Sequence, residues 1–194
     1  MGNREDLLAG AKRCLYEKGY ARTTIRDITA AAGGVSMAAI GYHFGSKEAL
    51  LNEALAQASG EWGRQLGEAL AAAPLGPGAT AAERFEVAWN HITGSFAEHQ
   101  RLWTATFDVI GQLPHVPSLR EQLAAGLSEA RLGLAQVLGG LDPDADPDTA
   151  WAVGGFYQAL LTGVMAQYLI DPDRAPTGRD LARALQRIAT DGGT

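Results

Sequence analysis

Lys47 follows Ser46 at the expected first turn of a helix, where the macrodipole disfavours a cation unless an anion lies close by. A phosphate would satisfy both the lysine and the helix terminus, whose unsatisfied N–H groups attract anions. The charge distribution suits that chemistry. Within residues 1–48, seven basic residues (Arg4, Lys12, Arg13, Lys18, Arg22, Arg26 and Lys47) stand against five acidic ones, a net of +2. The rest of the 194-residue chain carries −8. A basic end on an acidic body points to phosphate contact at that end and a different task for the body. Other chemistry lacks its spacing. There is no glycine-rich phosphate loop and no nucleophile motif, and His43, His91, His99 and His115 are not spaced as metal ligands. No enzymatic activity, metal or cofactor is therefore expected. Cys14, the single cysteine, excludes an intramolecular disulfide, and its place on an apolar helix face predicts a buried small hydrophobe. The opening Met-Gly-Asn-Arg-Glu-Asp lacks the order of a signal peptide, so a reduced, cytoplasmic protein is expected.

These groups need a scaffold, and the pattern is helical almost throughout, with apolar residues three and four apart and no clear period-two run. Leu7, Leu8, Ala11, Cys14 and Leu15 mark a first helix that stops near Gly19. Thr24 opens a short second helix with Asp27 as its capping-box partner, Ile25 and Ile28 facing inward. Gly33-Gly34 breaks it. Ser36 caps a third helix running through His43, anchored by Val35, Ile40 and Phe44. After the Gly45-Ser46 turn, Ser46 caps a fourth helix. Thr80 with Glu83, Ser118 with Glu121, Asp146 before Pro147, and Thr177 with Asp180 announce later helices. The predicted breaks are Pro74 to Gly78, Leu113 to Pro117, Gly139 to Pro147 and Asp171 to Gly178.

The stretch 150–170 contains no charged residue and is long enough to span a bilayer. Its glycines, Gln158, Thr162 and Gln167, and the flanking Asp148 and Asp171 favour a helix enclosed by protein, either at a subunit interface or within one chain. Large side chains between the helices could line a pocket for a small molecule. The candidates are His91, Trp103, Phe107, Asp108, Trp151, Phe156 and Tyr157. The histidine and aromatics also suit plain core, and Asp108 also suits an exposed turn.

Residues 24–50, TIRDITAAAGGVSMAAIGYHFGSKEAL, place two short helices across a glycine turn, the layout of a helix-turn-helix unit. Ala30 to Ala32 permit close helix packing, and Gly33 or Gly34 supplies the turn conformation. Gly19-Tyr20, Thr24, Asp27-Ile28, Ala32-Gly33, Gly34-Val35-Ser36, His43-Phe44 and Ser46-Lys47-Glu48-Ala49-Leu50 together resemble the N-terminal domain of the TetR family of transcriptional regulators. The resemblance covers about the first fifty residues. It implies DNA contacts from Thr24, Arg26, Ser36, Met37, Ala38, Ala39, Tyr42, His43 and Lys47. The spacing between Ile28 and Val35 is one residue longer than the family's usual pattern, and Gly41 stands where many members carry a tyrosine.

The expected architecture is all-α. Residues 1–48 form a three-helix helix-turn-helix DNA-binding domain, and 49–194 form a helical ligand-binding and dimerisation domain. The implied function is a homodimeric repressor, bound to a palindromic double-stranded DNA operator and released by a small, mostly apolar effector, with no membrane partner. A helical homodimer that senses ligands or partners without specific DNA binding is the alternative.

Overall fold

The computed structural model describes residues 3–73, 78–113 and 117–191, and among them there are nine helices and no strand. These are α1 (Asn3–Lys18), α2 (Ile25–Ala31), α3 (Met37–Phe44), α4 (Lys47–Ala71), α5 (Ala81–Gly94), α6 (Gln100–Gln112), α7 (Pro117–Gly139), α8 (Pro147–Ile170) and α9 (Gly178–Asp191). The all-α expectation holds. The predicted break at Pro74 to Gly78, His115, and the side chain of Ser118 with its proposed capping role lie wholly or largely outside the described residues. The chain divides into two compact units, Met1–Trp62 with His99–Ala124, and Gly63–Glu98 with Ala125–Thr194.

In the first unit, α1 packs on α2, α3 and α6 and buries Leu7, Leu8, Ala11, Cys14 and Leu15, while Ile28 of α2, Ile40 of α3 and Leu50, Leu51 and Ala54 of α4 are buried in the same unit. Gly10 makes the α1–α2 crossing possible. A methyl group there would meet the Ile28 carbonyl oxygen at 2.8 Å and the Ala32 nitrogen at 2.9 Å. The helix ends are chemically fixed. Thr24 and Asp27 form a reciprocal capping box on α2, Ser36 accepts from the Ala38 N–H at 3.3 Å, and Ser46 accepts from the Ala49 N–H at 3.0 Å. Both Gly33 (φ +84°) and Gly34 (φ +88°) occupy the left-handed region between α2 and α3, so the turn uses two residues that a side chain would strain. Ile25 corrects the sequence reading. It is 38% exposed, because a seven-residue helix buries one narrow stripe, here Ile28 and Thr29, and Ile25 falls beside it. On α6, Trp103 is buried edge-to-face on Trp62, centroids 4.7 Å apart.

The second unit is centred on Phe85, Trp89 and Ile92 of α5, Phe96, and Leu161, Val164 and Met165 of α8. Two glycines set its close approaches. A methyl on Gly154 would lie 2.1 Å from the Arg131 carbonyl oxygen, and one on Gly178 would lie 2.6 Å from the Glu86 carbonyl oxygen. The uncharged stretch became α8. No helix among the described residues is long and apolar enough to cross a membrane.

Candidate nucleic-acid interface

α3 is short, and one residue, Ile40, roots it in the core at 2% exposure. Val35 and Phe44 are half-buried at its two ends, with the Arg4 guanidinium 5.1 Å above the Phe44 ring. That leaves Met37, Ala38, Gly41 and Tyr42 on the solvent side, with Met37 56% and Tyr42 86% exposed. Ala39 and His43 are half-buried, and the His43 ring sits edge-on to Tyr42 at 4.9 Å. Thr24 and Arg26 are exposed at the start of α2, and Ser36 is exposed at the start of α3. The unit therefore brings the nine sequence-predicted residues onto α2, α3 and the first residue of α4, six of them exposed and Ala39, His43 and Lys47 half-buried.

Several of those groups already have work inside the protein. The Thr24 hydroxyl donates to Asp27 Oδ2 at 2.7 Å. The Lys47 ammonium donates to the Thr23 carbonyl at 3.2 Å and lies 3.4 Å from Glu48. So Lys47 braces the α1–α2 turn. The turn is held by further residues that sequence reasoning missed. Lys18 pairs with Asp27 at 2.5 Å, the Tyr20 hydroxyl donates to Asn52 at 2.8 Å, and the Thr23 hydroxyl donates to the Gly19 carbonyl at 2.7 Å. The Lys18 ammonium, then the Thr24 hydroxyl and N–H, hold the Asp27 carboxyl down to about 2, and the same pairing raises Lys18. Burial pushes the Cys14 thiol up, as befits an unreactive core residue.

The C-terminus of α1 is capped by guanidiniums. Arg22 Nε donates to the Lys18 carbonyl at 2.9 Å, and Arg101 of α6 donates to the Glu17 carbonyl. Beside them, Lys18, Arg22, Gln100, Arg101, Thr104 and Asp108 line an open cavity of about 260 Å³.

Residues 7–54 match a family model described as bacterial regulatory proteins, tetR family. That segment is similar to the DNA-binding domain of this family. The HTH-type transcriptional repressor AcnR of Corynebacterium efficiens is 44% identical over 50 residues, which are 26% of this chain and 26% of that repressor. The chain thus matches about a quarter of the length of this curated relative. Similarity to solved structures runs further. A protein from Streptomyces coelicolor A3(2) described as a transcriptional regulator is 26% identical, with 99% of each chain covered and a TM-score of 0.64. The multidrug binding protein EbrR, solved with imidazole, shares the fold at 22% identity and a TM-score of 0.63, over 95% of each chain. The names of these similar proteins are those of regulators and a binding protein, not of enzymes.

The sequence-predicted ligand residues separate. Trp103, Phe107 and Asp108 belong to the first unit, where Trp103 is core, Phe107 is half-buried and Asp108 lines the cavity beside α1. His91, Trp151, Phe156 and Tyr157 belong to the second. His91 is on the solvent side of α5, one residue off its buried stripe, so it is neither core nor the wall of an interior pocket. Trp151 and Phe156 are each 47% exposed, with the Arg131 guanidinium 4.2 Å above the Trp151 ring. Only Tyr157 of the four reaches inward, its hydroxyl donating to the Leu138 carbonyl at 3.4 Å and its ring 6.2 Å from Phe85. Neighbouring Trp89 is fully buried, and its indole N–H has no acceptor among the described residues.

Proposed function

We propose that this chain is a DNA-binding transcriptional repressor of the tetR family that acts as a homodimer on a palindromic operator and is released by a small, mostly apolar effector. The observation that carries the DNA-binding part is α3. It is an eight-residue helix pinned by one core side chain and capped by Ser36, and it presents a continuous solvent face inside the segment that matches the family. A recognition helix has to be exposed along one face and held rigidly along the other. Residues 1–48 supply the reading head, and residues 49–194 supply dimerisation and effector binding.

Two further observations support the remaining parts. Among the described residues the Trp89 indole N–H is a buried donor without an acceptor, an arrangement that an effector carrying one acceptor on an apolar body would relieve. EbrR, which shares the fold, is a multidrug binding protein. For dimerisation, Ala152, Phe156, Ala159, Gly163, Gln167 and Ile170 recur three and four apart on α8, and all are exposed. An uncharged stripe of that length is a natural self-complementary surface. Effector binding acts on DNA only if the effector prefers one arrangement of the dimer's two reading heads.

Selection of bound duplexes from a random pool by the full chain, followed by sequencing, tests the reading. The expected product is a palindrome whose half-sites lie about one helical turn apart. A folded dimer that enriches no sequence would overturn repression by operator binding and favour the interaction protein.

A further inference from the structure

We propose that α3 identifies its operator through the methyl groups of thymine rather than through hydrogen bonds to base edges. This rests on the DNA-binding reading above and specifies the chemistry of that same face. Met37 and Gly41, and Ala38 and Tyr42, are pairs four residues apart, so the four make one surface. Three of the four have no hydrogen-bonding side chain. Ser36 already spends its oxygen on the Ala38 N–H, and His43 is half-buried between the rings of Tyr42 and Phe44. The Tyr42 hydroxyl is thus the one polar group on the exposed face of α3. In the major groove every base pair displays donors or acceptors, and only A·T pairs add a methyl group, the thymine 5-methyl. A thioether side chain laid against donors and acceptors would desolvate them without replacing their partners. Laid against a methyl, it gains an apolar contact.

Gly41 gives a second argument. It lies inside the helix, its φ is not in the left-handed region, and a methyl placed on it would meet nothing within 4 Å. Neither backbone nor packing within the protein asks for glycine there, and glycine weakens a helix relative to alanine. Its missing side chain leaves open space at the helix surface, with Met37 one turn away and Tyr42 beside it, and a methyl group from the partner can approach the backbone there.

The test uses the full chain and the selected operator with deoxyuridine replacing each half-site thymine in turn. This removes the methyl and leaves every hydrogen bond. Affinity is measured at fixed salt. At one or two positions per half-site the unsubstituted protein is expected to lose about fourfold, the value of one buried methyl. Met37→Ala, at an exposed position, is expected to remove most of that sensitivity. Gly41→Ala, which puts a methyl into that open space, is expected to weaken the thymine operator more than the uracil one. Affinity that stays within twofold for uracil at every position, on an operator that is still bound specifically, overturns the methyl reading and leaves the repressor reading standing. Failure to enrich any operator overturns the repressor reading itself.

Discussion

Asp27 shows how much one side chain can organise. It closes the α2 capping box with Thr24 and receives the Lys18 ammonium from α1, so it fixes both the start of α2 and its angle to α1. Its carboxyl is held at about 2, below the ordinary 3.8. The stabilisation it gives is therefore complete above about pH 4 and is lost as the pH falls through 2. The raised Lys18 amine works in the other direction, lost only as the pH rises beyond its ordinary 10.5. Thermal midpoints of the native chain and Asp27→Asn, followed by circular dichroism, are expected to differ by a constant amount from pH 5 to 8 and to converge toward pH 2. A difference independent of pH down to 2 would remove the ion pair from this account. Thr24→Ala should cost about 1 kcal/mol, the usual loss for an N-cap. This residue pair also marks the boundary of what sequence reveals. Thr24–Asp27, Thr80–Glu83 and Thr177–Asp180 are legible because a capping box is written three residues apart. Lys18–Asp27, Lys47–Thr23 and Tyr20–Asn52 are 9, 24 and 32 residues apart, and a separation set by the tertiary path has no period to read.

At the scale of elements, the bracing of the α1–α2 turn separates two residues that the resemblance assigns the same role. Tyr42, almost fully exposed and edge-on to His43, can be removed with little effect on folding. Tyr42→Ala is expected to lower DNA affinity about tenfold at unchanged thermal midpoint, the loss of roughly one good contact. Lys47 braces the Thr23 carbonyl, so if it also meets phosphate as proposed, Lys47→Ala is expected to lower affinity and the midpoint together. Equal midpoints for the two variants would mean that the Lys47 bond adds nothing to the fold. Helix–helix approaches give a parallel contrast. Gly10→Ala and Gly154→Ala each drive a methyl into a neighbouring backbone, within 2.9 Å or less, and overpacking of that kind costs about 1–3 kcal/mol. In the sequence, glycines read as breaks and turns, and on 150–170 as room for a neighbouring helix, while nothing in the pattern marks Gly10. A close approach within the chain depends on which helix arrives opposite, and that partner is far along the chain. Helix existence was legible from apolar period and caps. Facing was less so where a helix has two turns, which is why Ile25 was placed inside.

For the proposed dimer the decisive surface is α8. Its exposed stripe runs over 19 residues from Ala152 to Ile170, about 27 Å at the helical rise, with Phe156 and Ile170 as its large apolar members and no charge along it. Left in water, such a surface is costly; doubled about a two-fold axis, it is buried against itself, residue i meeting residue j and the reverse. Gly163 and Ala159 near its middle let two helices approach closely, and Gly163 meets nothing within 4 Å inside its own chain. Phe156→Arg places a cation on this stripe at a position already half open to solvent, so the fold of the single chain should survive. The expected result is a halved mass by analytical ultracentrifugation with the helical circular dichroism retained. The salt dependence of DNA affinity should fall with it, because a lone reading head neutralises about half the phosphates that a dimer does, and the slope of log affinity against log salt counts them. Retention of both the dimer mass and the slope would move the two-fold interface away from this face of α8. Loss of the dimer with an unchanged slope would mean that one chain suffices for DNA, and the palindromic operator would have to be abandoned.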